Sequence, residues 1–152
     1  FNRYRSEAPQ KLEQVADRSI LKIYSFDKDN PLDFSWLVKA VLNDLQKGVP
    51  RSEIASAFHR TYAAMWCVEL AKQAVRQKLS RVVLCGGVFQ NKLLVDILMP
   101  MLRQLGLQPY LPASVPCNDA GIAVGQMAVT AAWIEQSMNH NDKRHARVVV
   151  GL

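Results

Sequence analysis

Two short strings in the chain carry residue types arranged for chemistry. The first is Cys85-Gly86-Gly87-Val88-Phe89-Gln90-Asn91, directly after the apolar run Arg81-Val82-Val83-Leu84. Paired glycines let a backbone turn sharply and approach a ligand with no Cβ in the way. A helix opening after them offers unpaired N–H groups and positive partial charge, which suits phosphate. Asn91 both donates and accepts, so it can read a ribose or a base. The same string also fits an ordinary strand-to-helix turn. The second string is Pro116-Cys117-Asn118-Asp119-Ala120-Gly121. Asp119 fits an N-cap, and equally a carboxylate ligand for a cation beside a nucleotide.

Other reactive residues assemble less. His59 lies in Ala57-Phe58-His59-Arg60, where a lone histidine reads as packed. His140 and His145 sit in a polar tail without matching ligands. Neither a Ser-His-Asp arrangement nor a complete Walker motif is visible. Cys67, Cys85 and Cys117 form no CxxC pair; an odd count without a framework points to a reducing compartment and to buried structural thiols.

The elements that must position these strings read as α/β. A short helical pattern covers Pro9 to Ala16, and Ile20 to Phe26 alternates as a strand. Asp33 can cap a helix to about Lys47, with Phe34, Leu37, Val38, Val41 and Leu45 as its buried face. A second helix from about Pro50 to Lys78 is apolar on nearly every side from Tyr62 to Ala71. Residues 81–85 read as a buried parallel strand. A helix follows with Leu93, Leu94, Ile97, Leu98, Met101 and Leu105 inward; Pro100 is expected to kink or split it and Gly106 to cap it. Leu107 to Leu111 is a second strand. Asp119 opens a last helix facing inward through Ile122, Val124, Met127, Ala128, Ala131 and Trp133. Arg147 to Val150 can add an edge strand within a polar tail, 139–152. In open α/β folds ligands sit beyond the carboxyl ends of parallel strands, and both strings lie at such ends.

Composition narrows the classes. The chain is 49% hydrophobic and 21% charged with mixed signs, which excludes disorder. Its 152 residues can bury roughly 70% of the unfolded surface. No apolar run reaches the ~18 to 20 residues a bilayer requires. The net charge of +6 is spread out, apart from Lys143-Arg144-His145-Ala146-Arg147. That cluster suits a solvated tail better than a nucleic-acid stripe, so neither nucleic acid nor membrane is expected as a partner. The opening Phe1-Asn2-Arg3 has neither an initiator Met nor signal-peptide character, so a fragment or processed piece is expected.

Together the strings resemble a family. Leu84-Cys85-Gly86-Gly87-Val88-Phe89-Gln90-Asn91-Lys92-Leu93-Leu94 followed by Pro116-Cys117-Asn118-Asp119-Ala120-Gly121-Ile122-Ala123-Val124-Gly125-Gln126 is similar to the carboxyl end of the hydrogenase maturation carbamoyltransferases, the HypF family. Ile54 to Arg60 resembles that family's helix before the Gly-Gly strand, and Ser6 to Glu13 the segment after its first half. Related tRNA threonylcarbamoyl transferases usually carry small residues where Phe89-Gln90 stands. They are the alternative reading, together with a non-catalytic α/β nucleotide-binding or interaction domain.

The resemblance implies the second lobe of an actin-like (ASKHA, RNase H-like), Kae1-like carbamoyltransferase domain over residues 1–152, within a longer multidomain protein. It implies ATP and carbamoyl phosphate as co-substrates, combined as a carbamoyl-adenylate. It implies HypE as acceptor, through its C-terminal cysteine, toward the cyanide ligand of a [NiFe] hydrogenase. Gly86, Gly87, Val88 and Asn91 match nucleotide-binding positions. Asp119 matches a ligand of a divalent metal (zinc, iron or magnesium). The family's histidine-rich metal motif belongs to the first half, so the isolated chain is expected to be inactive and to need its N-terminal domains. No catalytic nucleophile is expected here, since the thiolate comes from the partner. A cytoplasmic location follows from the reducing compartment. The positive charge then suits two anionic substrates.

Overall fold

The computed structural model describes residues 6–140. The possible edge strand over 147–150 lies outside them. Five helices and a two-stranded parallel sheet follow in the order α1 (Glu7–Val15), α2 (Ser35–Gln46), α3 (Arg51–Gln77), β1 (Arg81–Val83), α4 (Lys92–Gln104), β2 (Gln108–Tyr110) and α5 (Ile122–His140). β1 and β2 pair Arg81 with Gln108, Val82 with Pro109 and Val83 with Tyr110. The β1–α4–β2 crossover is the expected α/β unit.

α3 is the centre of the fold. It runs unbroken for 27 residues, roughly 40 Å. None of its residues from 52 to 71 is exposed. On one side Ala63 and Cys67 pack with Leu84, Leu94, Leu98, Leu102 and Leu107 of the β1–α4–β2 unit. On the other, Ala57 and Met65 pack with Tyr24 and Leu37. A helix covered on two sides needs no polar stripe, which explains the apolar middle. Complete burial begins earlier than the sequence indicated, at Ile54.

Helix ends follow capping chemistry. α2, α3 and α4 each close with paired bonds typical of a left-handed terminal residue. Around α4, Gly106 N–H reaches Arg103 O at 2.9 Å and Leu107 N–H reaches Leu102 O at 3.1 Å, with Gly106 at φ +76°. In α3 the left-handed position is Lys78, at φ +54°. Lys78→Gly is expected to stabilise the protein by about 1 kcal/mol, because a side chain in that region costs about that much; a lower melting temperature would contradict this.

Several expectations change. Ile20 to Phe26 forms no strand and pairs with none among the described residues. Side chains hold it instead: Thr61 Oγ1 accepts from Tyr24 N–H at 2.9 Å, and Arg60 Nε donates to Ile20 O at 2.6 Å. α2 buries only Leu37 of its predicted face; Phe34, Val38 and Leu45 stay exposed because only one stripe meets α3. β1 is parallel but not buried. Val82 turns toward the core while Val83 is 68% exposed, since the small sheet is covered on one face and side chains alternate. α4 is not split by Pro100. One missing N–H donor is tolerated where Leu98 and Leu102 are fully packed on either side. Leu102, absent from the expected inner face, is its most buried residue, and Leu105 is half exposed. The predicted inner face of α5 is not covered: residues 122–137 are all exposed, because no other described element lies along them.

The Ile20 to Phe26 segment is also pinned by charge. Lys22 Nζ reaches Asp44 at 2.9 Å and Glu53 at 3.0 Å, and Tyr24 O–H donates to Asp44 at 2.9 Å. The bond from Lys22, then that from Tyr24, holds the Asp44 carboxyl below its ordinary 3.8. Burial, then the bond to Asp44, pushes the Tyr24 phenol up to about 12. A depressed carboxylate stabilises above its ordinary pKa and loses that contribution as pH falls through the folded value. A raised phenol stabilises below its ordinary 10.0 and loses that contribution as pH climbs toward about 12. Stability is therefore expected to fall on the acid side below about 4, at the ordinary carboxylate value. Asp44→Asn should flatten that limb, and an unaltered acid limb would refute the assignment.

Candidate functional site: a cleft at the carboxyl ends of the parallel strands

The chain leaves β1 through Leu84, whose N–H reaches Tyr110 O at 2.8 Å and extends the ladder by one residue. Gly86 then takes φ +108° and ψ 159°, a region essentially reserved for glycine. A single 3-10 turn, Gly87–Gln90, follows. The second loop leaves β2, passes Pro112 and Pro116, and makes a 3-10 turn over Asp119–Gly121 before α5. One bond joins the two loops: Gly86 N–H donates to Cys117 O at 2.5 Å. A cleft of about 560 Å³ opens there, with Cys85, Gly86, Cys117, Asn118, Asp119 and Gly121 along its wall.

The site residues read from the sequence divide. Gly86 and Asp119 come together in this cleft. Gly87, Val88 and Asn91 are not among its lining residues. Val88 borders an adjoining apolar hollow of about 280 Å³ with Tyr62, Trp66 and Phe89. Gly87 sits at the start of the 3-10 turn with open space where a Cβ would stand. Its N–H and that of Val88 have no hydrogen-bond partner among the described residues.

Asn91 is a structural residue in this chain. Its Oδ1 caps α4, accepting from Leu94 N–H at 2.8 Å, and its Nδ2 donates to His59 Nε2 at 2.8 Å. His59 is 3% exposed, and its Nδ1 lies 2.7 Å from Ala55 O. A carbonyl only accepts, so Nδ1 carries the proton and Nε2 takes the Asn91 hydrogen. His59 is thus the packed histidine expected. Its link to Asn91, 32 residues away, had no signal in the sequence.

The first turn of α4 departs from expectation in another way. It was expected to offer free N–H groups to phosphate. Leu94 N–H is taken by Asn91, and Leu93 N–H is taken by Glu13 Oε1 of α1 at 3.0 Å. Among the described residues, the backbone donors left for an anion are those of Gly87 and Val88, one turn earlier, and Lys92 N–H alone in the first turn of α4.

Asp119 is not the cap. Asn118 Oδ1 accepts from Ala120 N–H at 3.1 Å, leaving the exposed Asp119 carboxylate uncommitted to the turn. The cap falls to Asn118 because the 3-10 turn starts at Asp119 itself. Gly121 fixes the loop, since a Cβ there would collide with the Pro116 carbonyl. Among the described residues no three His, Cys, Asp or Glu side chains gather to hold a metal. Asp119 can supply one ligand, and a complete set does not exist on this part of the chain.

The thiols also differ from expectation. Only Cys67 is buried, and burial pushes its thiol up to about 11. Cys85 is exposed and Cys117 partly so, both on the cleft wall, because they lie at strand ends rather than within a packed helix. No helix among the described residues is long and apolar enough to cross a membrane.

Comparison with known proteins gives this cleft a context. Residues 1–126 match the model of the family described as "Carbamoyltransferase, Kae1-like Domain, second subdomain". The carbamoyltransferase HypF of Rhizobium leguminosarum bv. viciae is 35% identical over 128 residues, covering 82% of this chain and 16% of that protein. The tRNA N6-adenosine threonylcarbamoyltransferase of Clostridium botulinum is 26% identical over 108 residues, covering 66% of this chain and 32% of its own. The crystal structure of full-length HypF in the phosphate- and nucleotide-bound form superposes with a TM-score of 0.76 at 28% identity, over 82% of this chain and 20% of that one. The chain spans about a sixth of the Rhizobium relative's length. It belongs to the HypF carbamoyltransferase family, as the second subdomain of the Kae1-like domain.

Proposed function

We propose that this subdomain forms one wall of the nucleotide site of a carbamoyltransferase. The observation that carries this reading is the Gly86–Cys117 bond, which draws the Gly-Gly turn and the Asp119 loop into one cleft. The relative solved with phosphate and nucleotide supports the choice of ligand. In this reading the N–H groups of Gly87 and Val88 meet the nucleotide phosphate, and Gly86 shapes the approach. Asn91 holds the turn against α4 and uses its second Nδ2 hydrogen toward the nucleotide.

The reaction is transfer of a carbamoyl group from a carbamoyl-adenylate, formed from carbamoyl phosphate and ATP, to the C-terminal cysteine thiolate of HypE. Sulfur bonds to the carbamoyl carbon, the anhydride C–O bond breaks, and AMP leaves. Fixed donors at the phosphate stabilise the departing charge. The product serves cyanide synthesis for a [NiFe] hydrogenase. A divalent metal bound partly by Asp119 would polarise the anhydride, with its other ligands from the rest of the protein. The N-terminal domains supply the adenylate, so the isolated chain is expected to be inactive.

Asp119→Ala in the complete protein is expected to reduce carbamoyl transfer by at least a hundredfold. Its exposed side chain makes no bond among the described residues, so the melting temperature should stay within about 1 °C, as for surface changes in general. Undiminished transfer would remove Asp119 from the site.

A further inference from the structure

We propose that Cys85 and Cys117 form a reversible disulfide across the floor of this cleft, making it a site of oxidative modification. The joining bond of 2.5 Å runs from the N–H of Gly86, the residue after Cys85, to the carbonyl of Cys117 itself. In a trans peptide that N–H lies on the same side as the preceding Cα, which places the Cα atoms of Cys85 and Cys117 roughly 5–7 Å apart. Disulfides span about 4.4–6.8 Å between Cα atoms. Both residues line the same cleft and neither is buried, so a small oxidant reaches them. Cys67, buried within α3, is an internal control.

The oxidant is a low-molecular-weight disulfide such as oxidised glutathione. One cysteine thiolate attacks a glutathione sulfur and releases the first glutathione. The second cysteine then attacks the mixed disulfide and releases the other. Two protein thiols lose two electrons and two protons, and one glutathione disulfide becomes two thiols. The staple ties the Gly-Gly turn to the Asp119 loop, so both loops lose the freedom to part around a ligand. That consequence rests on the nucleotide reading given above; the disulfide itself does not.

The test is peptide mapping of the complete protein after equilibration in glutathione buffers of rising oxidised fraction, with thiols blocked by alkylation. Trypsin releases Cys85 in residues 82–92 and Cys117 in residues 104–143. The expected result is a linked pair of these peptides, lost on reduction and absent in both Cys85→Ser and Cys117→Ser, while Cys67 is alkylated throughout. Separate glutathione adducts on the two peptides, or two unmodified thiols at every ratio, would overturn the proposal. Nucleotide affinity is measured on the same samples with ATP. A fall of at least tenfold on oxidation, lost in both variants, supports control of the cleft; unchanged affinity in the linked protein overturns that control. If the reduced protein binds no ATP, the nucleotide reading fails and its control with it, whereas the linkage is still decided by the map.

Discussion

Asn91→Ala is expected to destabilise the region around α4 by about 2–4 kcal/mol. Two losses add. The Oδ1 cap on Leu94 N–H disappears, which typically costs about 1 kcal/mol. His59 Nε2 is left without its donor while the ring remains 3% exposed, and a buried unsatisfied group costs about 1–3 kcal/mol. In the complete protein this appears as a loss of roughly 30- to 1000-fold in hydrogen-exchange protection of the α4 first turn, at about tenfold per 1.4 kcal/mol. Asn91→Asp separates the two parts. It keeps the capping oxygen but sets a carboxylate against an accepting Nε2. The protection lost in Asn91→Asp is therefore the share carried by the His59 contact, and the further loss in Asn91→Ala the share of the cap. Full protection in Asn91→Ala would disprove this bridge. Reduced carbamoyl transfer in Asn91→Ala therefore does not by itself assign a nucleotide contact, although the bare motif suggests a residue that can be removed with the fold intact.

Gly87→Ala isolates the ligand from the fold. A Cβ at Gly87 meets nothing within 4 Å, and its backbone is not left-handed. The protein alone can accept the methyl group. A nucleotide phosphate seated against the Gly87 and Val88 N–H groups, as proposed, would be crowded by that methyl. Nucleotide affinity is expected to fall at least tenfold with thermal stability unchanged. Gly86→Ala should behave differently. It also meets open space, but at φ +108°, where a side chain costs about 1–3 kcal/mol of backbone strain. It should weaken the fold and the site together, loosening the bond to Cys117. Equal nucleotide affinity in wild type and Gly87→Ala would place the phosphate elsewhere.

The sequence carried the local rules well. Periodicity marks α3 and α4, and glycine marks the ends of α2 and α4. Two apolar runs around a helix mark the parallel β1–α4–β2 unit. The Gly-Gly and Asn-Asp strings mark the family and the ends of both strands. These features were legible because each depends on residues within a few positions of one another, where spacing is a direct consequence of helix and strand geometry.

What lies across the chain was decided only by packing. Nothing near Asn91 announces His59, and nothing near Leu93 announces Glu13, 80 residues earlier. These partners meet because α1 and α4 both pack against α3, and each then satisfies a polar group that would otherwise be orphaned. The same contacts turned Asn91 into a brace and took Leu93 N–H of α4 away from any anion. Burial was likewise a tertiary outcome. Ile20 to Phe26, the outer side of α2 and all of α5 are apolar enough for a core, but hydrophobicity shows only what can be buried. Whether a neighbouring element covers it depends on topology, which is why α3 is enclosed on two sides and residues 122–137 of α5 are not.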